Sequence, residues 1–298
     1  MTRRGGLVLL FGGSDPSGGA GLELDLKVLA RLGVHGAAIA TCYTLQTAVA
    51  LVERWNASRA TARRQLDLLA RDARVGAIKI GMVAGGAWID EVTRALGRWP
   101  ELPVIVDPIV APTRGNGGLS LAAIAHLRRR LLPQTGLLTP NAIEAAALLG
   151  TTLPRVARDP GGAARALLDL GPRAVLLKGG HLPATARREH ARSGSTATVT
   201  DFLRGGFGDV DFVAPRRVGR SPRGTGCALA SAIAAQVVSG HEWRDAIHRS
   251  IVWLRAARSG AISMGRGRDY LGLEAGAVGE SEWRAARKNV RAIMVEPV

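Results

Sequence analysis

Short apolar runs alternate along the chain with longer amphipathic segments. The run at residues 7–11 is continuous and ends at glycine, which is typical of a strand buried on both faces of a parallel sheet. Similar runs predict further strands at 37–42, 77–80, 104–107, 137–139 and 174–178. Apolar residues at helical spacing predict helices at 22–32, 60–73, 88–99, 121–131, 143–149 and 163–170. Strands alternating with helices of this length indicate an α/β fold with a mainly parallel, doubly wound central sheet.

The last third of the chain departs from this rhythm. A polar, Arg-rich loop at 185–195 precedes two short runs, 196–203 and 210–214, which predict an antiparallel hairpin at the sheet edge. Helices follow at 228–238, 243–259 and 282–289. Because no repeat or interdomain linker is evident, we predict one domain over 1–263. Residues 264–298 then form an extension that packs on the core or on a second subunit.

A loop before the helix at 228–238 has the features of an anion site. Its backbone amides at Gly224, Thr225 and Gly226 would point toward a ligand at a helix N-terminus, where the macrodipole is positive. There we expect the pKa of the Cys227 thiol to fall below about 8.5, so that it serves as a general base or polarises a hydroxyl. The plain alternative is an ordinary loop followed by a cysteine that only packs in the core.

Polar residues and glycines follow the ends of the predicted strands. Gly13 follows the first strand, Gln46 the second, Asp107 the fourth, Asn141 the fifth and Lys178 the sixth. In an open parallel sheet, ligands bind beyond the carboxyl ends of the strands. The order of the segments therefore predicts one shared cleft.

Composition narrows the classes of partner. The net charge of +16 comes from arginines that are scattered rather than blocked, and aromatic residues make up 4% of the chain, so we expect no nucleic-acid partner. The two cysteines show no disulfide or zinc spacing, which favours the cytoplasm. No apolar run approaches the ~20 residues of a membrane span, and residues 7–11 are too short for a signal-peptide core.

Six motifs in order give the chain a specific resemblance. They are Gly13-Ser14-Asp15-Pro16-Ser17-Gly18-Gly19-Ala20-Gly21 with Asp25, Lys79-Ile80-Gly81-Met82, Val106-Asp107-Pro108, Thr139-Pro140-Asn141 with Glu144, Leu177-Lys178-Gly179-Gly180-His181, and Gly224-Thr225-Gly226-Cys227. From about residue 7 to 260 the chain resembles the hydroxymethylpyrimidine and phosphomethylpyrimidine kinases of thiamine synthesis. These belong to the ribokinase-like superfamily, so the resemblance implies a ribokinase-like sheet flanked by helices.

The resemblance implies ATP-dependent phosphorylation of a hydroxymethyl group on an aminopyrimidine, followed by a second transfer onto the monophosphate. It further implies ATP and Mg²⁺, with a monovalent cation left open, and a homodimer. The acceptor-binding positions are Gln46, which reads the pyrimidine edge, with Gly13, Ala20, Asp25, Thr44, Met82 and Val110. The nucleotide-binding positions are Asn141, Lys178, Thr225 and Gly226. The metal-binding positions are Asp107 and Glu144. The catalytic positions are Cys227, Gly224, Thr225, Gly226 and Lys178.

Plain structural roles are open for four of the motif positions. Asp15 could only begin a turn, Met82 could be core, Glu144 a helix-surface carboxylate and Asp107 a strand-end turn former. Taken alone, each of these four residues favours the structural role. Their order and spacing along the chain, taken together, favour the functional role. Lysine is rare in this Arg-rich chain, so its presence at Lys178 also indicates a need for a compact charge.

Some positions depart from the family pattern. Arg223 stands where a His is common, and Thr113-Arg114-Gly115 opens the loop that usually carries a Lys-Ser-Gly-like sequence. Extra arginines such as Arg114 and Arg223 would suit a phosphorylated or otherwise acidic acceptor. Two alternatives stay open at this stage. One is a pyridoxal or pyridoxine kinase of the same fold, and the other is a nucleotide-binding homologue with altered or lost activity.

Overall fold

The apolar runs form the centre of one sheet. The computed structural model describes residues 6–47, 49–110, 118–182, 197–217, 221–273 and 280–296. Within them the strands are β1 (Leu7–Ser14), β2 (Gly36–Gln46), β3 (Leu51–Asn56), β4 (Val75–Ile80), β5 (Val104–Val106), β6 (Leu137–Leu138), β7 (Ala174–Leu177), β8 (Thr198–Gly205), β9 (Val210–Pro215) and β10 (Arg291–Met294).

Helices connect most of these strands. They are α1 (Gly21–Arg31), α2 (Arg59–Asp72), α3 (Gly86–Leu96), α4 (Leu121–Arg130), α5 (Ala142–Leu149), α6 (Leu153–Arg158), α7 (Pro160–Leu168), α8 (Thr225–Val238), α9 (Trp243–Ser259) and α10 (Glu280–Asn289). Among the described residues, no helix is long and apolar enough to cross a bilayer.

The strand order is β10-β9-β8-β7-β6-β5-β4-β1-β2-β3. Neighbouring strands pair in parallel through the central six strands, which are β7, β6, β5, β4, β1 and β2 in sheet order. The outer strands β3, β8, β9 and β10 pair antiparallel with their neighbours. The predicted α/β class with a mainly parallel sheet and antiparallel strands at the edge is therefore confirmed. Two edge strands were not predicted, because β3 and β10 carry mostly exposed residues and lack an apolar run.

Alternate residues of the central strands face opposite layers. Leu9 and Phe11 pack in the core beneath α2 to α7, while Val8 and Leu10 pack in the core formed with α1, α8, α9 and α10. The chain passes from β1 to its neighbour β2 and later returns to β4 on the other side of β1. This change of direction opens a crevice at the carboxyl ends of β1 and β4, where α/β proteins bind ligands.

The described part of the C-terminal extension packs on the same chain. Strand β10 pairs with β9, and Ala286 and Val290 are buried against the α9 side of the core. The boundary at residue 263 and any contact with a second subunit stay predictions. Arg114 and the Arg-rich loop at 185–195 lie outside the described residues.

A buried ion pair ties three elements together below the crevice. Lys79 Nζ of β4 donates to Asp25 Oδ2 of α1 at 2.6 Å, and both side chains are 1% exposed. Ser231 Oγ of α8 donates to Asp25 Oδ1 at 2.8 Å. Burial opposes the charge on Lys79, but the carboxylates of Asp25 and Asp107 raise its pKa above the ordinary value, so it remains an ammonium.

We expect Asp25→Ala to lower the free energy of unfolding by about 3–5 kcal/mol, because it leaves the Lys79 ammonium buried without a partner. Urea unfolding followed by circular dichroism measures this change. The matched control is Asp67→Ala, which removes the half-exposed carboxylate paired with Arg98 and should change stability little. Equal, small effects of the two substitutions would show that the buried pair does not hold these elements together.

Candidate active site

Helix α8 begins with backbone donors that no side chain caps. Its N-cap is Gly224, at φ +68°, and Thr225 is the first helical residue. A side chain at Gly224 would collide with Leu24 Cδ2 and with the carbonyl oxygen of Gly19. Glycine therefore permits the loop before α8 to touch the loop before α1, and the amides of the first turn can meet an anion.

The loop after β1 is held by its own polar contacts. Asp15 N donates to Glu23 Oε2 at 2.6 Å, and Ser17 N donates to Asp15 Oδ1 at 2.9 Å. Arg223, just before the anion loop, donates to Ser17 Oγ at 3.0 Å and lies 3.3 Å from Asp15 Oδ2. The Arg223 guanidinium is thus a cross-link between the two glycine loops, and Asp15 does more than begin a turn.

The start of the C-terminal extension braces both loops. Arg268 Nη2 donates to the Ser221 carbonyl oxygen at 2.6 Å, and Arg223 N donates to the Asp269 carbonyl oxygen at 2.9 Å. The Tyr270 ring packs on the other loop, so closely that a Cβ on Gly19 would lie 2.8 Å from Tyr270 Cε1. These contacts were not predicted, because they join residues about 50 to 250 positions apart.

A second ion pair lies beneath the start of α8. Lys178 Nζ donates to Asp107 Oδ1 at 2.7 Å. A Cβ on Gly226 would lie 3.1 Å from Lys178 Nζ and 3.4 Å from Asp107 Oδ2, so the helix start sits directly on this pair. Burial opposes the charge on Asp107, but the ammonium groups of Lys178 and Lys79 hold its pKa below the ordinary value. Asp107 is therefore a charged residue, more than a strand-end turn former.

Asn141 and Glu144 form a capping box at the start of α5. Asn141 Oδ1 accepts from Glu144 N at 3.0 Å, and Asn141 N donates to Glu144 Oε2 at 2.7 Å. The Glu144 side chain is buried rather than on the helix surface. Burial raises its pKa to about 7, although nearby Lys178 favours the carboxylate. Glu144 therefore changes charge close to neutral pH beside the Lys178–Asp107 pair.

The expected low pKa of Cys227 is wrong. The thiol is buried, and burial together with the carboxylates of Asp107 and Asp25 raises its pKa to about 12, although Lys79 and the Gly21 amide favour the thiolate. The helix N-terminus does not overcome these effects, so Cys227 is a neutral thiol at physiological pH.

One cavity of about 380 Å³ joins these groups. Its lining includes each predicted site residue except one: Gly13, Ala20, Asp25, Thr44, Gln46, Met82, Asp107, Asn141, Glu144, Lys178, Gly224, Thr225, Gly226 and Cys227. Val110 is the exception, since its side chain is buried in the core beneath α2 to α7. Thr44 Oγ1 donates to the Ser14 carbonyl oxygen at 2.7 Å and so fixes that wall.

Some cavity residues were not predicted from the sequence. Lys79 lies in one of the six motifs without a predicted role, yet it is fully buried and ion-paired. Its rarity in an Arg-rich chain, the signal used for Lys178, could have identified it. Asp201, Arg255, Arg258 and Arg268 line the cavity without lying in any of the six motifs.

Comparison with known proteins assigns the family. A family model described as phosphomethylpyrimidine kinase matches residues 15–271. A hydroxymethylpyrimidine/phosphomethylpyrimidine kinase from Salmonella typhimurium is 36% identical over 261 residues, which cover 87% of this chain and 94% of the relative. A thiamine biosynthesis bifunctional protein from Geobacter sulfurreducens is 35% identical over 262 residues, 88% of this chain and 51% of that protein.

A solved structure supports the fold. The pyridoxal kinase of Staphylococcus aureus in complex with AMP-PCP superposes with a TM-score of 0.79 at 21% identity, over 97% of this chain and 99% of that one. The predicted ribokinase-like fold is thus confirmed. The family model spans nearly all of the motifs that line the cavity. The chain belongs to the phosphomethylpyrimidine kinase family.

Proposed function

We propose that the chain transfers a phosphoryl group from ATP to the hydroxymethyl group of an aminopyrimidine, and then to the resulting monophosphate, in thiamine biosynthesis. The observation that carries this proposal is that one cavity holds both sets of groups. It joins the uncapped start of α8 and the Lys178–Asp107 pair to a pocket lined by Gln46 and Met82. Relatives named for the same reaction support it.

The phosphates of ATP would meet the amides of Thr225, Gly226 and Cys227 and the ammonium of Lys178. Burial opposes the charge on Lys178, but the carboxylates of Asp107 and Glu144 raise its pKa, so the ammonium is present at neutral pH. Phosphoryl transfer depends mainly on positioning and on neutralising charge. Fixed amides at a helix start and the ion-paired ammonium of Lys178 supply both.

The donor set fits Mg²⁺. Asp107 and Glu144 offer carboxylate oxygens beside the proposed phosphate site, while no group of three or more His, Cys, Asp or Glu side chains forms a metal cage within the described residues. Mg²⁺ commonly binds through one or two carboxylates together with substrate phosphates and water. When bound, it would neutralise charge on the phosphates.

We propose that Cys227 orients the acceptor hydroxyl rather than removing its proton in advance. A thiol with a pKa of about 12 holds its proton at neutral pH. Because the transition state of phosphoryl transfer is loose, the hydroxyl needs little prior activation. Cys227 lies in the first turn of α8 and lines the same cavity as Asp107 and Lys178, which places the thiol beside the proposed transfer site.

Gln46 would read the acceptor. Its amide lies at the end of β2 on the cavity wall, and it offers a donor and an acceptor that suit the edge of an aminopyrimidine. Pyridoxal is the rival acceptor. We also propose that the protein acts in the cytoplasm, because a kinase of small molecules needs access to ATP there. A small-molecule substrate and ATP are its proposed partners, with no nucleic acid among them.

The test is ATP consumption with hydroxymethylpyrimidine, its monophosphate and pyridoxal as parallel acceptors. We expect turnover of both pyrimidines. Cys227→Ala should reduce kcat by about tenfold or more, whereas Cys227→Ser should retain most of it, because a neutral hydroxyl can replace a neutral thiol in orienting the acceptor. The control is Cys42→Ser, a second buried thiol that does not line the cavity.

Three results would contradict parts of this proposal. Turnover of pyridoxal alone would assign the rival activity. Turnover of no acceptor by a protein that still binds ATP would indicate a nucleotide-binding homologue. Equal loss of activity in Cys227→Ala and Cys227→Ser would show that an ionisable thiol is required.

We also propose a homodimer formed through the β2–β3 hairpin. This edge of the sheet carries the large apolar side chains Tyr43, Leu45, Val49, Val52 and Trp55, each about half exposed or more. Tyr43 lies opposite Trp55 in the strand register. Exposed apolar surface of this extent on an edge hairpin is typical of a protein interface.

Sedimentation velocity tests the dimer. We expect a dimer for the unmodified chain and a shift to monomer for Val52→Glu, because a buried charge opposes association. Leu121→Glu is the control, since Leu121 is 85% exposed on α4, away from the hairpin. A monomer at all concentrations, or equal effects of the two substitutions, would refute the hairpin interface.

A further inference from the structure

Two glycine loops flank the crevice and serve different partners of the proposed reaction. Residues 13–20, the acceptor loop, lead into α1, and Gly13 and Ala20 line the cavity with Gln46. Residues 221–226, the phosphate loop, carry the uncapped amides at the start of α8. Transfer needs a fixed distance between the acceptor hydroxyl and the phosphate, so the distance between the two loops matters for the rate.

Each loop has an anchor of its own. In the acceptor loop, Asp15 N donates to Glu23 Oε2 of α1 at 2.6 Å. Asp15 Oδ1 accepts from Ser17 N at 2.9 Å and from Ser17 Oγ at 2.7 Å. The phosphate loop continues into α8, a helix of 14 residues that packs on α1 and α9. The loops can therefore keep their own conformations when a contact between them is lost.

The Arg223 side chain crosses from the phosphate loop to the acceptor loop. Its Nη1 donates to Ser17 Oγ at 3.0 Å, and its Nη2 donates to Asp15 Oδ2 at 3.3 Å. The Arg223 side chain is 11% exposed and that of Asp15 is 1% exposed, so salt and water screen this ion pair little. A charge-assisted contact thus joins residues that are 208 positions apart in the sequence.

A hairpin after α9 holds the backbone of Arg223 from the other side. Ile262 and Tyr270 exchange two backbone hydrogen bonds of 2.9 Å and so close this hairpin. Within it, the Asp269 carbonyl oxygen accepts from Arg223 N at 2.9 Å. Arg223 is therefore fixed at its backbone as well as at its guanidinium, which suits a residue that sets the distance between two loops.

We propose that Arg223 is a positioning residue for phosphoryl transfer, which holds the acceptor loop at a set distance from the phosphate loop by way of Asp15 and Ser17. The inference rests on the proposed function for the identity of the two substrates, and it adds a residue that acts through the loops rather than on the reacting atoms. Because each loop keeps its own anchor, loss of Arg223 slows transfer more than it weakens the binding of either substrate.

The first test is steady-state kinetics with ATP and whichever of the three acceptors turns over fastest. We expect Arg223→Ala to lower kcat about 10- to 100-fold, because a misplacement of ~1 Å can reduce the rate by that much. The KM values for ATP and acceptor should change less than about threefold. Arg223→Lys should recover part of the loss, since an ammonium can still pair with Asp15.

A double-mutant cycle tests whether Arg223 acts through Asp15. Asp15→Asn should lower kcat as Arg223→Ala does, and the two substitutions together should reduce it little further, because both remove the same contact. The matched control is Arg266→Ala, which removes an exposed arginine of the same hairpin and should leave kcat unchanged. Thermal unfolding of each variant checks that it folds.

Hydrogen exchange followed by mass spectrometry gives a readout that needs no turnover. In Arg223→Ala, peptides that cover the acceptor loop should exchange their backbone amides faster than in the unmodified protein, whereas in Arg266→Ala they should not. Equal exchange in the two variants, or a raised KM with kcat unchanged, would overturn the positioning role. An unmodified protein that phosphorylates no pyrimidine would refute the proposed function, and the exchange result would still decide this inference.

Discussion

Two lysine ammonium groups lie below one helix N-terminus, Lys79 fully buried and Lys178 with 13% of its side chain exposed, and each has a carboxylate in contact. Lys79 meets Asp25, and Lys178 meets Asp107, at 2.6 and 2.7 Å. The partners of each pair come from elements distant in sequence, so the pairs form only when β4, β5, β7 and α1 are all in place. The shape of the cleft thus depends on these two ion pairs as well as on the topology of the sheet.

The same ion pairs fix the groups that would bind phosphate. The uncapped amides of α8 and the Lys178 ammonium are fixed before any ligand arrives, so little reorganisation is needed on binding. Cys227 stays neutral between the two pairs, and Glu144 titrates near pH 7 at their edge. Glycine at positions 19 and 224 brings the flanking loops together, while Arg223 and Tyr270 hold them there.

Sequence patterns predicted the elements whose two faces are buried, because continuous apolar runs and helical spacing leave a clear signal. They failed for β3 and β10, whose residues are mostly exposed. The order of the motifs predicted that the site residues share one cavity. All of them line it except Val110, whose side chain lies in the core. The pKa of Cys227 could not be predicted, since it depends on burial of the thiol and on the carboxylates of Asp107 and Asp25, which only the fold brings near.

A crystal structure with a non-hydrolysable ATP analogue and hydroxymethylpyrimidine tests the central claim most directly. The account predicts the terminal phosphate on the first-turn amides of α8 and beside Lys178, with the pyrimidine against Gln46 and its hydroxymethyl oxygen next to Cys227. A triphosphate bound away from the amides of Thr225 and Gly226, or an acceptor whose hydroxyl points away from Cys227, would contradict it.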